Sequence, residues 1–218
     1  MARPGMTNVE AGPRHDCPLC PRLAAYRRAN AKAHPDWFNG AVQSFGDARA
    51  RLAIVGLAPG VAGANRTGRP FTGDFAGDLL YATLLKFGFA RGTYDAHPDD
   101  GLTLVDCMIT NSVRCVPPEN KPTPEEIKTC RPFLTARLSA MPRPRAVLAL
   151  GRIAHDSVVR SYGHALPAFP FAHGARHDLA PGIALYDSFH CSRYNTNTGK
   201  LTKEMFESVF AMIGKEIK

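Results

Sequence analysis

The chain lacks any long apolar run. None approaches the roughly 18 consecutive apolar residues that a membrane-spanning helix needs. Its opening stretch, MARPGMTNVEAGPRHD, has no apolar segment of the kind a secretory signal carries. Both absences lead to the expectation of a cytoplasmic protein with no membrane partner. Internal repeats and low-complexity tracts are missing too, which excludes solenoid and fibrous architectures. Tryptophan occurs once, at Trp37. Acidic residues are in short supply: 19 Asp and Glu face 27 Lys and Arg, a net charge of +8. That balance favours a polyanionic partner such as nucleic acid but does not by itself establish one. Cysteine is present at six positions. In a reducing compartment disulfides are disfavoured, so closely spaced cysteines point to metal or redox chemistry.

The apolar residues that are present fall into short blocks. With 218 residues, 44% of them hydrophobic, the chain can bury the core of one domain. A tail over 1–14, rich in Gly, Pro and Arg, is expected to be disordered, followed by one domain over 15–218. Leu52-Ala53-Ile54-Val55, a segment within 102–109, Ala146-Val147-Leu148-Ala149-Leu150 and Ile183-Ala184-Leu185-Tyr186 read as buried strands. Helical patterns lie between and after them, over about 76–88, from Thr123 through Leu138, over 152–162, and after Thr202. Thr123-Pro124-Glu125-Glu126 is a capping box with proline at the first helical position. Strands alternating with helices predict an α/β fold with a mostly parallel sheet.

Between the first strand and its helix runs Gly56 to Asp74, GLAPGVAGANRTGRPFTGD, with five glycines and two prolines. A loop at the carboxyl end of a parallel strand is where such folds bind ligands, and glycine lets the backbone approach one closely. Gly56, Ala58 and Gly60 are therefore candidate substrate contacts, with Phe71 and Asp74 further along the loop. Two other strand ends carry unusual polar residues, Asn111 and His190. In a parallel sheet the three ends share one edge and converge on one pocket.

Cys17-Pro18-Leu19-Cys20 is a C-x-x-C pair preceded only by a polar tail, which favours a metal over a thioredoxin-type dithiol. Cys115 and Cys130 complete a set of four thiols. Such a set serves zinc or an iron–sulfur cluster, and the spacing does not choose between them. Cys107 reads as core, and Cys191, beside His190, lacks a basic partner that would make it a nucleophile.

GLAPG after a strand, then G-R-P-F-T-G-D, T-N-x-V-R-C-x-P-P and H-x-S-R-x-N-T together resemble the uracil-DNA glycosylase superfamily. The closest match is its iron–sulfur family 5, or type B, over Cys17 to about Thr202. The resemblance implies a three-layer α/β/α sandwich around a four-stranded, mostly parallel sheet. It implies a [4Fe–4S] cluster on Cys17, Cys20, Cys115 and Cys130. It further implies a monofunctional enzyme that removes uracil from DNA, with hypoxanthine, xanthine and ethenocytosine as further bases. Such an enzyme would start base excision repair in the nucleoid as a monomer. Phe71 would stack on the flipped base, Asn111 would read it, and His190 would donate to uracil O2. Other branches carry Asp at the position of Ala58 or Glu at that of Leu57. Here both carboxylates are absent, and Asp74 is expected to position water or stabilise the sugar cation, with Asp78 as the fallback. Arg193, Arg66, Arg69 and Arg114 are expected on phosphates, and Tyr194 or Asn195 in the space the base vacates. The His173–His177 loop is a further candidate for approaching DNA. The alternative is a non-catalytic nucleic-acid-binding protein with a structural zinc; an iron–sulfur electron carrier ranks below it, because one cluster does not require so large a sheet.

Overall fold

Strands covered by helices on both faces read as nearly continuous apolar runs, and four such runs form the middle of one sheet. The computed structural model of the chain describes residues 12–217. The expected tail over 1–14 therefore lies, for residues 1–11, outside the described residues. The helices are α1 (Pro21–Ala33), α2 (Ala64–Thr67), α3 (Phe75–Phe87), α4 (Pro124–Ser139), α5 (Arg152–Ser161), α6 (Arg193–Asn197) and α7 (Lys203–Ile217). The strands are β1 (Phe45–Gly46), β2 (Leu52–Gly56), β3 (Ala90–Arg91), β4 (Thr103–Leu104), β5 (Cys107–Asn111), β6 (Ala146–Leu150), β7 (Arg176–Ala180) and β8 (Ile183–Ser188).

The sheet order is β1-β5-β2-β6-β8-β7, and β3 and β4 pair separately. β5, β2, β6 and β8 run parallel, while β1 and β7 join antiparallel at the edges. The sheet thus has six strands instead of the expected four. β1 is two residues long, and β7 reads Arg-His-Asp-Leu-Ala, so neither carries the apolar signature of a buried strand.

Side chains alternate across the sheet, as the period of two requires. Leu52, Ile54, Leu148 and Tyr186 pack with α3 and α7. Ala53, Val55, Val147 and Leu185 pack with α4 and α5. Three layers result, with the carboxyl ends of β2, β5, β6 and β8 on one edge.

The helix starts near that edge are fixed by their caps. Glu126 N–H donates to Thr123 Oγ1 at 3.2 Å, and the Glu126 carboxylate accepts from Thr123 N–H at 2.8 Å. Arg22 of α1 then grips the same carboxylate at 2.7 and 2.8 Å and the Lys121 carbonyl at 3.1 Å. Segment 118–124 becomes a braced ridge. Asp74 caps α3 by accepting from Gly77 N–H at 3.1 Å.

Candidate active site

Strand register brings an amide and an aromatic ring together, both buried and neither among the residues that line the open cleft. Gly56 of β2 is the Cα partner of Asn111 of β5. A Cβ on Gly56 would stand 2.4 Å from Asn111 Oδ1 and 2.5 Å from Phe71 Cζ, so the missing side chain is what lets the amide and the ring meet. Asn111 is 3% exposed, and its Oδ1 has no hydrogen-bond partner. Phe71 holds a left-handed backbone, φ 55°, the kind of strain that costs about 1–3 kcal/mol. Tyr94 O–H donates to the Phe71 carbonyl at 3.3 Å. Gly77 leaves room for that carbonyl: a Cβ there would come within 1.8 Å of it. An unsatisfied buried acceptor costs about 1–3 kcal/mol, so two destabilising features meet at one point. A ligand that hydrogen-bonds the amide would relieve the first.

His190 follows the end of β8, its ring 6.0 Å from that of Phe71 at an interplanar angle of 26°. Asn195 of α6 donates through Nδ2 to the His190 carbonyl at 2.8 Å and fixes the backbone there. Desolvation lowers the His190 pKa to about 4, so the imidazole is neutral near pH 7. Asp74 stands across the loop. A Cβ on Gly63 would lie 2.4 Å from Asp74 Oδ2, and one on Gly60 3.1 Å. Burial raises the Asp74 pKa, against the lowering hydrogen bond from Gly77.

Asp74 and His190 share the wall of a cleft of about 760 Å³ with Leu57, Ala58, Gly60 and Tyr194. Asp74 is the one carboxylate among the described residues that line it, and no lysine does. Asp78 is exposed and off the cleft, and the cap of α3 is Asp74 itself.

The outer residues divide. Arg193 is exposed at the rim with its guanidinium 5.4 Å from the Phe75 ring centroid, and Tyr194 is 74% exposed beside it. Arg66 is exposed, with Nε on the Ala62 carbonyl at 2.8 Å. Three expected DNA contacts are corrected. Arg69 is buried, paired with Asp100 at 2.6 and 2.8 Å and set among the rings of Phe45, Tyr81 and Tyr94. Arg114 is buried and donates to the Val42 carbonyl and Ser44 Oγ. Asn195 commits its amide to His190, so it does not fit the role of a wedge. Of the loop histidines, His173 Nδ1 accepts from Phe189 N–H at 3.2 Å, and His177 lies in β7, turned toward Asp187.

Cys17, Cys20, Cys115 and Cys130 line one apolar pocket with Leu23, between α1, α4 and the segment after β5. All four are free thiols. Burial above all pushes Cys20 up to about 11 and Cys115 up to about 12, so a cation is what would make them thiolates. Arg27 and Arg114 are 5% and 1% exposed and have no carboxylate partner among the described residues. Four thiolates around Zn²⁺ or a [4Fe–4S]²⁺ core carry a net charge of about −2, which two buried guanidiniums balance. The residues therefore fit a tetrathiolate metal group. Among the described residues, the one group of three or more ligand atoms lying within 4.8 Å of one another is His155, His177 and Asp187. The four thiols are therefore not gathered that tightly in their pocket, and the donor set itself fits either kind.

Sequence reasoning missed Asn195 as the anchor of His190 and Gly63 as the space for Asp74. The N-cap signal Ser192, three residues before Asn195, was the available hint that a helix starts there.

The Uracil DNA glycosylase superfamily model matches residues 43–213. A type-5 uracil-DNA glycosylase of Thermus thermophilus is 45% identical over 199 residues, covering 88% of this chain and 90% of that protein. One from Pyrobaculum aerophilum is 40% identical over 198 residues, covering 89% and 86%. A type-4 uracil-DNA glycosylase of the latter organism is 34% identical over 149 residues, covering 68% and 62%.

Proposed function

Because the chain belongs to the Uracil DNA glycosylase superfamily, we propose that it hydrolyses the N-glycosidic bond of uracil in DNA and so initiates base excision repair. The observation that carries this reading is the partnerless Asn111 Oδ1, set against Phe71 at Gly56, with the Phe71 ring in turn 6.0 Å from that of His190.

Taking a base out of the stack costs a few kcal/mol. The Phe71 ring offers a stacking face in return. Asn111 Oδ1 accepts from uracil N3–H while Nδ2 donates to O4; cytosine presents the opposite pair, so a fixed amide rejects it. The C1′–N1 bond then breaks, and its electron pair moves onto the base. His190, kept neutral by burial, donates to O2 as negative charge builds there, the kind of preorganised donation that is worth on the order of 100-fold in rate. The Asp74 carboxylate stabilises the cationic sugar and orients a water. The water oxygen bonds to C1′, and its proton passes to the Asp74 carboxylate and then through solvent to the uracil anion. The products are free uracil and an abasic site. With no lysine on the cleft wall, no strand-cleaving step follows.

Cys17, Cys20, Cys115 and Cys130 would hold a [4Fe–4S] cluster, which supplies a cross-link between α1, α4 and the chain after β5. The same pocket admits hypoxanthine, xanthine and ethenocytosine as further substrates. The enzyme acts as a monomer on DNA.

The test is a set of oligonucleotides each holding one modified base, incubated with the protein and cleaved at abasic sites with alkali. Release of uracil by the wild type and its loss in Asn111→Ala is the expected result. Undiminished uracil release by Asn111→Ala would remove the amide from base reading.

A further inference from the structure

On the far side of the braced ridge at 118–124 lies a second open groove, of about 540 Å³, between the first half of α4 and the length of α5. Asn120 lines the catalytic cleft, whereas Pro122 and Pro124 line this groove, so the ridge separates the two. Both helices begin at the carboxyl edge of the sheet, and Gly151, which precedes α5, has its Cβ direction 3.4 Å from His190 Cβ. The groove opens at that edge and runs along the helices away from it, to Arg131 midway along α4 and Arg160 in the last turn of α5.

The groove is lined by Lys128 and Arg131 of α4 and by Asp156, Ser157 and Arg160 of α5, with Glu125 at the α4 end. Among the described residues none of the five charged side chains makes a close salt bridge, while Arg131 feels the attraction of Asp156 and the repulsion of Arg160. Three cations and two carboxylates leave an excess of one positive charge. Two further polar atoms in the lining residues are buried and have no partner: Arg131 Nε and Ser157 Oγ, with Ser157 1% exposed. Arg131 Nε–H can only donate, and the serine hydroxyl is a donor as well. What they lack is an acceptor, and the surplus charge specifies a singly charged anion. An open groove one ridge from the cleft suits a chain passing by better than an enclosed small molecule.

We propose that the α4–α5 groove binds one backbone phosphate of the DNA duplex that flanks the flipped nucleotide. Arg131 and Arg160 meet the phosphate oxygens, with the partnerless hydroxyl of Ser157 a further donor in the same lining. The carboxylates of Glu125 and Asp156 keep the groove from holding more than one phosphate. This inference rests on the DNA-directed reading of the cleft and adds to it a second, sequence-independent contact.

Binding of wild type, Arg160→Gln and Ser157→Ala to a uracil-containing duplex, followed over a range of salt concentrations, tests it. One lost phosphate contact lowers the slope of log affinity against log salt by about 0.9. The expected result is that decrease for Arg160→Gln, with affinity several-fold weaker at low salt. Ser157→Ala removes a partnerless buried hydroxyl, so its melting temperature should hold or rise while its DNA affinity falls. An unchanged slope in Arg160→Gln, or Ser157→Ala binding DNA as tightly as wild type, overturns the proposal. If wild type binds duplex but releases no uracil, the catalytic reading fails while the slope still decides the groove. Inorganic phosphate serves as a separate probe. If it protects wild type but not Arg160→Gln against melting while the DNA slope stays the same, the groove takes free phosphate and the DNA assignment is wrong.

Discussion

Gly63 gives the Asp74 carboxylate the space it occupies, since a methyl group there would stand 2.4 Å from Oδ2. Gly63→Ala should lower single-turnover uracil excision by roughly 10- to 100-fold, the scale of a catalytic group displaced by about an ångström. The melting temperature should change little, because the clash falls on one side chain at a cleft wall. The two titrating groups of the cleft also set a pH profile. Burial raises Asp74 and lowers His190 to about 4. The rate should fall with acidification on a limb lying above the ordinary aspartate value of about 3.9, because protonation removes the negative charge that faces the sugar. In Asp74→Asn the overall rate should drop and that limb should vanish from single-turnover rates measured across pH. At this scale the sequence was legible where a residue's chemistry is unusual for its setting. An amide and an imidazole at the ends of buried strands stand out in Asn111 and His190. The fate of Asn195 and Arg69 was not legible, because an exposed-looking amide or arginine reveals its partner only in three dimensions. Asn195 turns back to its own chain at His190, and Arg69 finds Asp100 thirty-one positions away.

The β8 strand, which delivers His190, is itself held by a buried ionic contact. His155 of α5 places Nδ1 2.7 Å from Asp187 Oδ1 and Nε2 2.8 Å from the Phe169 carbonyl. Both partners accept, so both ring nitrogens donate and the ring is an imidazolium. Burial would lower its pKa, but the Asp187 carboxylate and the carbonyl outweigh that and raise it. His177 faces the other carboxylate oxygen at 3.6 Å. A raised histidine contributes stability that is complete below the unfolded value of about 6.5 and is lost as pH climbs through the folded one. The melting temperature should therefore decline as pH is raised from about 6.5, and His155→Gln should show a lower melting temperature with a flatter pH dependence. The four central strands and the long helices were readable because burial on two faces and the 3.6-residue period leave strong patterns. β7 was read as a loop, since its Arg176, His177 and Asp178 satisfy an edge position and two ionic partners instead of a core. The short α6 hid inside a polar run for the same reason.

Across the whole molecule, the thiol pocket joins parts of the chain far apart in sequence. Arg27 of α1 holds the carbonyls of His15 and Cys17, the latter at 2.5 Å. Cys130 of α4 accepts from Arg114 N–H at 3.4 Å. Purified protein should contain iron and absorb visible light. Cys115→Ala should lose both and melt at a lower temperature, which metal analysis and calorimetry would check; a colourless wild type holding one zinc would reassign the pocket. The four cysteines were legible as a set, and the fold gathers them around one pocket; which metal they take is what the metal analysis decides. The pairing of Gly56 with Asn111 has a last consequence. On the proposed reading, the amide that would tell one pyrimidine from another is carried by the central sheet, not by the loops around the opening. Loops around the opening can lengthen, shorten or change charge and so alter how firmly a nucleic acid is grasped. The letter recognised stays the same until a strand slips or the glycine gains a side chain.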